Sequence, residues 1–246
     1  MQIEVVLSPT LYDNRQLNTD HATVAVDILR ATTAICAAFQ AGATSIVPLQ
    51  SLAPLPHYHQ QGYTIAAERN GAKVMVENVP ATCGNSPTEY LSMDLHGQRL
   101  AYSTTNGTLS ILIAARNSSQ LYVGSFANIS ALSEHLMHHD KIVVLCSGWK
   151  GDPCIEDTLF AGALCKRMTE RNNSVLLVND AALYSTDLWN MAAQDPYMFC
   201  AKATHVQRLQ RMGYDNDIRF ALQSDTCPVV PYARTDDDQI TLRIEK

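Results

Sequence analysis

The stretch 23-TVAVDILRATTAICAAFQAG-42 decides the fold class. Residues 23–28 form an apolar run that is typical of a buried strand. Residues 32–41 follow with the composition of a helix, and Gly42 is placed to end that helix. A strand that leads directly into a helix is the first part of a βαβ unit. Because the same order returns along the chain, we predict an α/β fold.

Short apolar runs alternate with longer amphipathic segments over the whole sequence, and this alternation sets the predicted architecture. The predicted strands are 3–7, 23–28, 45–49, 64–67, 99–103, 121–123, 141–146, 174–178 and 218–222. The predicted helices are 32–41, 52–61, 108–116, 127–138, 154–171, 181–193 and 204–211. We therefore predict an α/β/α arrangement with a mostly parallel or mixed sheet and helices on both faces.

Two further features concern domain organisation. Residues 70–94 break the alternation and are rich in Gly, Asn, Pro and Thr, and a connection of that length in a compact domain is usually functional. A boundary near residue 118 would divide the chain into an N-terminal half, 1–118, and a C-terminal half, 119–246, with one compact unit as the alternative.

Composition limits the classes of partner. The 246 residues include 18 Lys and Arg against 24 Asp and Glu, for a formal charge of −6, which argues against binding to nucleic acid or an anionic membrane surface. No apolar run approaches the roughly 18 residues of a membrane span. The seven cysteines are scattered without a C-x-x-C pair, as expected for free thiols in a reducing compartment. We predict a cytoplasmic protein, and the sequence leaves its oligomeric state open, with a homo-oligomer among the alternatives.

Polar residues collect after the predicted strands, where ligands bind in open α/β sheets. Asp27 ends one strand and could bind a hard cation such as Mg²⁺. Arg30 could bind a phosphate or carboxylate through two N–H groups, and Thr32 could cap the helix beside a bound anion. The simpler alternative is an N-cap with a surface salt bridge.

Two other segments are ambiguous when each is taken alone. Glu68 follows a short strand, and taken alone it is better explained as part of a solvated charged turn than as a site residue. In 83-CGNSPTE-89, Ser86 and Glu89 form the pattern of a capping box, which needs no function. Asn85 precedes that cap, in a segment whose backbone N–H groups could approach an anion.

The segment 103-STTNGT-108 joins a predicted strand to a predicted helix. Its hydroxyls, its amide and the permissive Gly107 resemble a phosphate cradle at a helix N-terminus. The alternative is an Asn-Gly hairpin turn. A hairpin needs a second strand, and the residues that follow have a helical pattern, so we favour anion binding.

A last candidate is 146-CSGWKGDPCIED-157, a Gly-rich turn that leads into a helix. Glu156 and Asp157 fall in its first helical turn, where the helix dipole alone would stabilise them. They are also adjacent oxygen donors beside a loop that could bring Lys150 to a phosphate. Together, the acids, hydroxyls and cations suit Mg²⁺-assisted handling of a phosphorylated anion. The sequence has neither GxxxxGK[ST] nor GxGxxG, the common nucleotide-binding motifs.

Five of these motifs, in this order, resemble the 2-phosphosulfolactate phosphatase family, called ComB. They are 27-DILRATT-33, the Glu68-Arg69 step, 84-GNSP-87, 103-STTNGT-108 and the C-S-G…G…ED…AG run over 146–162. The resemblance implies an α/β/α fold and a Mg²⁺-dependent phosphatase that acts on (R)-2-phospho-3-sulfolactate in coenzyme M biosynthesis. One departure is Ala67, which stands before Glu68 where the family pattern suggests Gly.

The resemblance and the motifs together give the candidate site residues. Those predicted for catalysis and metal binding are Asp27, Glu68, Glu156 and Asp157. Those predicted to contact substrate or phosphate are Arg30, Thr32, Asn85, Ser86, Thr105, Asn106, Gly107, Thr108, Ser147 and Gly148.

Three functional hypotheses follow from this set. The first is Mg²⁺-assisted hydrolysis of a small phosphorylated anionic substrate, which is the predicted small-molecule partner. The second is a non-catalytic binding protein for a small phospho- or sulfo-acid, which would need no metal. The third is a lyase or transferase acting on a phosphorylated hydroxy-acid. All three require the scattered motifs to converge on one pocket.

Overall fold

A computed structural model describes residues 1–13, 19–236 and 239–245 of the chain. Its main feature is an eleven-stranded mixed sheet flanked by helices, which confirms the predicted α/β class. The strands of this sheet, in chain order, are β1 (Gln2–Val6), β2 (Ala22–Val26), β3 (Ser45–Pro48), β4 (Thr64–Arg69), β5 (Ala72–Lys73), β8 (Arg99–Ser103), β9 (Gln120–Gly124), β10 (Lys141–Cys146), β11 (Leu176–Leu177), β12 (Tyr232–Asp236) and β13 (Gln239–Arg243). A separate hairpin pairs β6 (Met75–Val76) with β7 (Val79–Pro80).

The helices lie between these strands. They are α1 (Pro9–Asp13), α2 (Ala31–Gln40), α3 (Leu55–Gln60), α4 (Pro87–Leu91), α5 (Gly107–Asn117), α6 (Ile129–Leu136), α7 (Ile155–Arg171), α8 (Asp180–Ala192), α9 (Pro196–Cys200), α10 (Thr204–Arg211) and α11 (Asp215–Ala221). A 3₁₀ turn, Phe126–Asn128, precedes α6. No helix in these described ranges is both long and apolar enough to cross a bilayer.

The order of strands across the sheet is β11-β1-β10-β2-β9-β12-β13-β3-β8-β4-β5. The first five strands are parallel to one another, as are β3, β8 and β4. The antiparallel hairpin of β12 and β13 joins these two groups. Strands from both sides of residue 118 alternate in this sheet, and the division of the chain into two halves there stays a prediction.

Helices cover both faces of the sheet, as the apolar strands require. Along β2, Val24 and Val26 pack into one core cluster, while Ala25 between them packs into another. The same alternation places Val144 of β10 in the first cluster and Val143 in the second. Because successive side chains of a strand point to opposite faces, the two clusters lie on opposite sides of the sheet.

Two sequence predictions of secondary structure are wrong or incomplete. The weak strand predicted at 218–222 is part of helix α11, whose Ile218 and Ala221 pack into the core. The segment is too short for its apolar residues to separate a helical period from a strand period. The hairpin of β12 and β13 was not predicted, because most of β12 is exposed and polar and carries no apolar alternation.

The carboxyl ends of the two parallel groups meet. Four strands separate β2 from β8, so a flat sheet would hold them about 24 Å apart. The residues after these strands nevertheless touch, since an added Cβ on Gly107 would lie 2.7 Å from Oδ2 of Asp27. The sheet therefore curls, and the loops after β2, β4, β8 and β10 surround one space.

Candidate active site

Asp27 follows β2 and is fixed by the first turn of α2. Its Oδ1 accepts a hydrogen bond from the backbone N–H of Ala31 at 3.2 Å. The Thr32 hydroxyl accepts from the Asp27 N–H at 3.1 Å and donates to the Asp27 carbonyl at 2.9 Å. Thr32, predicted as a phosphate contact, thus holds the backbone of Asp27 and does not line the pocket.

The electrostatic surroundings of Asp27 are unfavourable for a bare carboxylate. Burial, together with the charges of Glu68 and Glu156, raises the pKa of Asp27 from 3.8 to about 6, although the Ala31 N–H and His205 oppose the rise. A buried carboxylate with acidic neighbours favours any added positive charge. Asp27 therefore has the chemistry of a cation ligand or of a group that takes up a proton.

Helix α5 begins directly against Asp27. Gly107 is its first residue, and a Cβ there would meet both Asp27 and the side chain of Ala31. Asn106, the N-cap residue, lines the pocket, and its side chain makes no capping bond. Thr108 turns inward, where its N–H and hydroxyl bond to Thr104. Because Gly107 has no side chain, the N-terminus of α5 can approach the Asp27 carboxylate closely.

We expect Gly107→Ala to lower activity far more than an ordinary alanine substitution does. The added methyl would push α5 away from Asp27 and Ala31, and displacement of a site by about 1 Å can cost about 100-fold in rate. Ser110→Ala, one turn further along the same helix, removes a buried hydroxyl that has no partner among the described residues and should leave the rate unchanged. Steady-state rates of the two variants check this, and equal rates would contradict the close packing.

Glu68 joins the turn after β4 to the loop after β8. Its carboxylate accepts a hydrogen bond from the Gly71 N–H and lies 3.2 Å and 3.3 Å from the Thr105 hydroxyl. Glu68 is 5 % exposed, and that small surface faces the pocket. Arg69 strengthens the same junction by donating to the Ser103 carbonyl at 3.1 Å. Glu68 is therefore a pocket carboxylate and a link between two loops.

Glu156, at the start of α7, is paired with a residue that no sequence motif indicates. Its Oε1 lies 2.8 Å from Nδ1 of His205, and its Oε2 is buried without a hydrogen-bond partner among the described residues. The His205 ring stacks on Trp149 with 5.2 Å between centroids, and both rings line the pocket. His205 lies on α10, where nothing in the local pattern distinguishes it from an ordinary helical histidine.

Asp157 occupies a different position from its neighbour Glu156. Its Oδ1 accepts from the Ile28 N–H at 2.8 Å and its Oδ2 from the Gly148 N–H at 3.0 Å. Burial, followed by the charges of Asp27 and Glu156, raises the pKa of Asp157 well above its ordinary value. It lies behind the pocket wall and ties the loops after β2 and β10 together.

Arg30 lines the pocket and is held by elements far apart in sequence. One of its terminal nitrogens donates to Asp217 at 2.7 Å and the other to the Gly71 carbonyl at 3.1 Å. The guanidinium carbon lies 3.8 Å from the centre of the Tyr214 ring. Asp217 and Tyr214 were not predicted, since both lie near the misassigned 218–222 segment.

The other predicted contact residues divide between the pocket and its support. Asn85 lines the pocket, and its Oδ1 accepts from the Tyr102 hydroxyl. Ser86 caps α4 and donates to Asp217 at 2.7 Å, away from the pocket lining. Ser147 and Gly148 also lie behind the lining, and the Ser147 hydroxyl has no partner within the described ranges.

The pocket itself has a volume of about 140 Å³. Its lining is Asp27, Leu29, Arg30, Glu68, Asn70, Gly71, Asn85, Thr104, Thr105, Asn106, Trp149, Lys150, His205, Arg208 and Leu209. Trp149, Lys150 and His205 also line a second cavity of about 340 Å³. The structure thus brings most of the predicted motifs to one space, with carboxylates and cations facing each other.

The donor set fits a hard cation that keeps much of its own water. Among the described residues, no three His, Cys, Asp or Glu side chains form a closed metal-binding group. Mg²⁺ does not require one, since it is usually held by one or two carboxylates, waters and substrate oxygens. Asp27 and Glu68 line the pocket and supply such carboxylates, and Oδ2 of Asp27 has no hydrogen-bond partner in the described chain.

Comparison with known proteins agrees with this geometry. A family model described as 2-phosphosulpholactate phosphatase matches residues 6–236. The chain belongs to this family. The match confirms the resemblance that the five motifs indicate, and it makes the chain a member of a family of phosphoric monoester hydrolases.

Individual relatives support the assignment over most of the chain. A probable 2-phosphosulfolactate phosphatase of Pseudothermotoga lettingae is 34 % identical over 212 residues, covering 86 % of this chain and 88 % of the relative. A protein of the same description from Prochlorococcus marinus is 35 % identical over 223 residues, with coverage of 86 % and 88 %. Another, from Synechocystis, is 31 % identical over 237 residues, with coverage of 94 % and 95 %.

Proposed function

We propose that this protein is a Mg²⁺-dependent phosphatase that hydrolyses the phosphate monoester of a small acidic substrate. The proposed reaction converts (R)-2-phospho-3-sulfolactate and water to 3-sulfolactate and inorganic phosphate. The observation that carries the proposal is the contact between Asp27 and the first residue of α5. It sets a buried carboxylate with a raised pKa beside a helix N-terminus, in a pocket that also holds Arg30.

The phosphoryl group would lie at the N-terminus of α5. There the free backbone N–H groups and the helix dipole favour an anion, and the Asn106 side chain leaves that end open because it makes no capping bond. Arg30 offers N–H donors from the opposite loop, and a guanidinium suits the geometry of phosphate. Lys150 and Arg208, which also line the pocket, supply further positive charge for the acidic groups of the substrate.

Asp27 and Glu68 are the residues that would hold Mg²⁺, with Glu156 as a further acid nearby. When bound there, Mg²⁺ would neutralise part of the phosphate charge during ester cleavage. The attacking water forms the new P–O bond and gives its proton to a carboxylate, Asp27 or Glu156. The bond from phosphorus to the ester oxygen breaks, and the leaving alkoxide takes a proton from water.

The alternatives differ in what they require. A binding protein without catalysis would keep the anion contacts and need no metal, and family membership does not favour it.

Localisation in the cytoplasm stays part of the proposal, and it is supported by seven free cysteines.

A phosphate-release screen tests the proposal directly. Phosphorylated hydroxy-acids, including (R)-2-phospho-3-sulfolactate, are incubated with the protein in Mg²⁺ and in EDTA. We expect release of inorganic phosphate only with Mg²⁺, and fastest from substrates with additional acidic groups. Phosphorus NMR identifies the product, because a lyase or transferase would not form phosphate from substrate and water alone. Equal ligand affinity in both conditions without turnover would indicate a binding protein.

The pH dependence of the reaction should follow the ionisation of Asp27. Its pKa is raised to about 6, so we expect kcat/KM at low Mg²⁺ to fall as the pH drops through that value. Saturating Mg²⁺ should move the midpoint to lower pH, because a bound cation favours the ionised carboxylate. Activity that stays constant between about pH 5 and 7 would contradict this.

A further inference from the structure

We propose that Asp217 is a positioning residue for this site: it fixes the Arg30 guanidinium in the orientation that binds the phosphoryl group. The inference rests on the proposed phosphatase function. Asp217 lies on α11, 187 residues from Arg30 in sequence, and belongs to none of the motifs that indicate the site. It does not line the pocket, so its effect would pass through Arg30.

The ion pair between the two residues is buried and short. A terminal nitrogen of Arg30 lies 2.7 Å from Oδ2 of Asp217, and each side chain is 3 % exposed. A buried pair of this kind contributes little net stability compared with well-packed apolar residues, but it is costly to break on one side. The main contribution of this ion pair is therefore the orientation that it imposes on the Arg30 guanidinium.

The carboxylate of Asp217 is itself held in place. Its Oδ1 accepts hydrogen bonds from the Ser86 hydroxyl at 2.7 Å and the Thr88 hydroxyl at 2.6 Å. Both hydroxyls belong to the cap and first turn of α4, where the Ser86 hydroxyl also accepts from the Glu89 N–H. Asp217 thus connects α4 and α11 to the loop after β2, and its oxygens cannot rotate without losing three bonds.

Arg30 is restrained on its other sides as well. It donates to the Gly71 carbonyl at 3.1 Å, and the Tyr214 hydroxyl donates to the same carbonyl at 2.7 Å. The Tyr214 ring packs against the guanidinium. A guanidinium has five N–H donors, and two of them are used here, which leaves the others for an anion in the pocket. The side chain is thus oriented before a ligand arrives.

The charge balance supports this interpretation. An acid beside an anion-binding cation reduces the attraction for phosphate, so it is a disadvantage unless it improves the orientation of the cation. Orientation is the larger effect in this case, because misplacement of a binding group by about 1 Å can cost about 100-fold. Asp217 also explains why Ser86 turns away from the pocket.

The test compares Asp217→Asn with Asp215→Asn. The Asn variant keeps the size of the side chain and removes its charge. Asp215 lies on the same helix and bonds to Arg219 and Tyr197, away from the pocket. We expect Asp217→Asn to raise KM for the phosphorylated substrate and Ki for inorganic phosphate, each by about 10- to 100-fold, with a smaller change in kcat. Asp215→Asn should behave as the wild type.

A purely structural role would give a different pattern. Partial unfolding would reduce the amount of active protein, so it would lower the apparent kcat and leave KM unchanged. That pattern for Asp217→Asn would overturn the proposal. In an Arg30→Ala background, Asp217→Asn should have an additional effect below about 2-fold, because its action passes through Arg30. Full additivity of the two substitutions would also overturn it. Asp217→Glu should recover part of the loss, since it restores the charge.

Phosphate binding measured by intrinsic tryptophan fluorescence, to which the pocket residue Trp149 contributes, separates this inference from the proposed reaction. A wild-type protein that binds phosphate in an Asp217-dependent way but hydrolyses no ester would refute the reaction and keep the positioning role. A wild-type protein that hydrolyses esters with no dependence on Asp217 would refute the positioning role alone.

Discussion

Asp27→Asn should abolish phosphate release and at the same time make the protein more stable. We expect kcat to fall by at least about 1000-fold, because the variant loses both a cation ligand and a proton acceptor. At pH 7.5 we expect the metal-free variant to exceed the wild type in unfolding free energy by about 2 kcal/mol. For a chain of this size, that corresponds to roughly 5 °C in Tm.

The sign of the stability change follows from the raised pKa. Burial and acidic neighbours raise the pKa of Asp27 to about 6, so the folded protein holds this proton more tightly than the unfolded chain does. The associated stabilisation is complete below the ordinary pKa of 3.8 and is lost as the pH rises through about 6. Asparagine has no charge to bury, and its Oδ1 can keep the bond from the Ala31 N–H.

Thermal denaturation in EDTA, combined with phosphate release in Mg²⁺, checks both halves of this prediction. The difference in stability should shrink as the pH falls to about 4, because Asp27 is then protonated in the folded protein and buries no charge. Asp140→Asn, at an exposed position before β10, should change neither property. Turnover like that of the wild type would remove Asp27 from the mechanism, and a loss of stability at pH 7.5 would contradict the electrostatic argument.

Asp157→Ala should have the opposite effect on stability. The substitution leaves the N–H groups of Ile28 and Gly148 buried without acceptors, and each such group costs about 1–3 kcal/mol. Relief of the repulsion from Asp27 and Glu156 offsets part of that cost, so we expect a net loss of about 3 kcal/mol. Asp157→Asn should lose about half as much, because its amide oxygen can still accept one of the two bonds.

Urea denaturation of the two Asp157 variants measures this difference. Asp187→Ala, an exposed position on α8, serves as the control and should be close to neutral. An Asp157→Ala protein as stable as the wild type would show that the two loops are not joined through this carboxylate. In that case Asp157 would be free to act as a metal ligand, as the sequence alone suggests.

The sequence predicts the fold well where a strand or helix has a clear hydrophobic pattern and is flanked by residues that start or end such an element. The predicted strands 99–103 and 141–146 and the predicted helix 204–211 have the boundaries found in β8, β10 and α10. The hairpin of β12 and β13 could not be predicted, because it is stabilised by the two neighbouring parallel groups and not by its own pattern. The interval 218–222 was misassigned because a short apolar run fits both periods.

Sequence motifs identify a site residue only where the motif directly follows a strand. Asp27, Glu68, Asn85, Thr105 and Asn106 line the pocket as the strand-end argument requires. His205 and Asp217 lie on ordinary amphipathic helices and acquire significance only through tertiary contacts. Residues such as Thr32 and Ser86 carry the expected hydroxyls, but these bond to neighbouring backbone or to Asp217, which local sequence cannot reveal.

Diffraction from crystals grown with Mn²⁺ in place of Mg²⁺ and with inorganic phosphate would show whether one pocket holds both the cation and the anion. The anomalous signal of Mn²⁺ locates the cation without ambiguity. We expect a single strong peak within ligand distance of Asp27 and Glu68, with phosphate bound between the N-terminus of α5 and Arg30. A Mn²⁺ peak elsewhere, or phosphate bound outside this pocket, would contradict it.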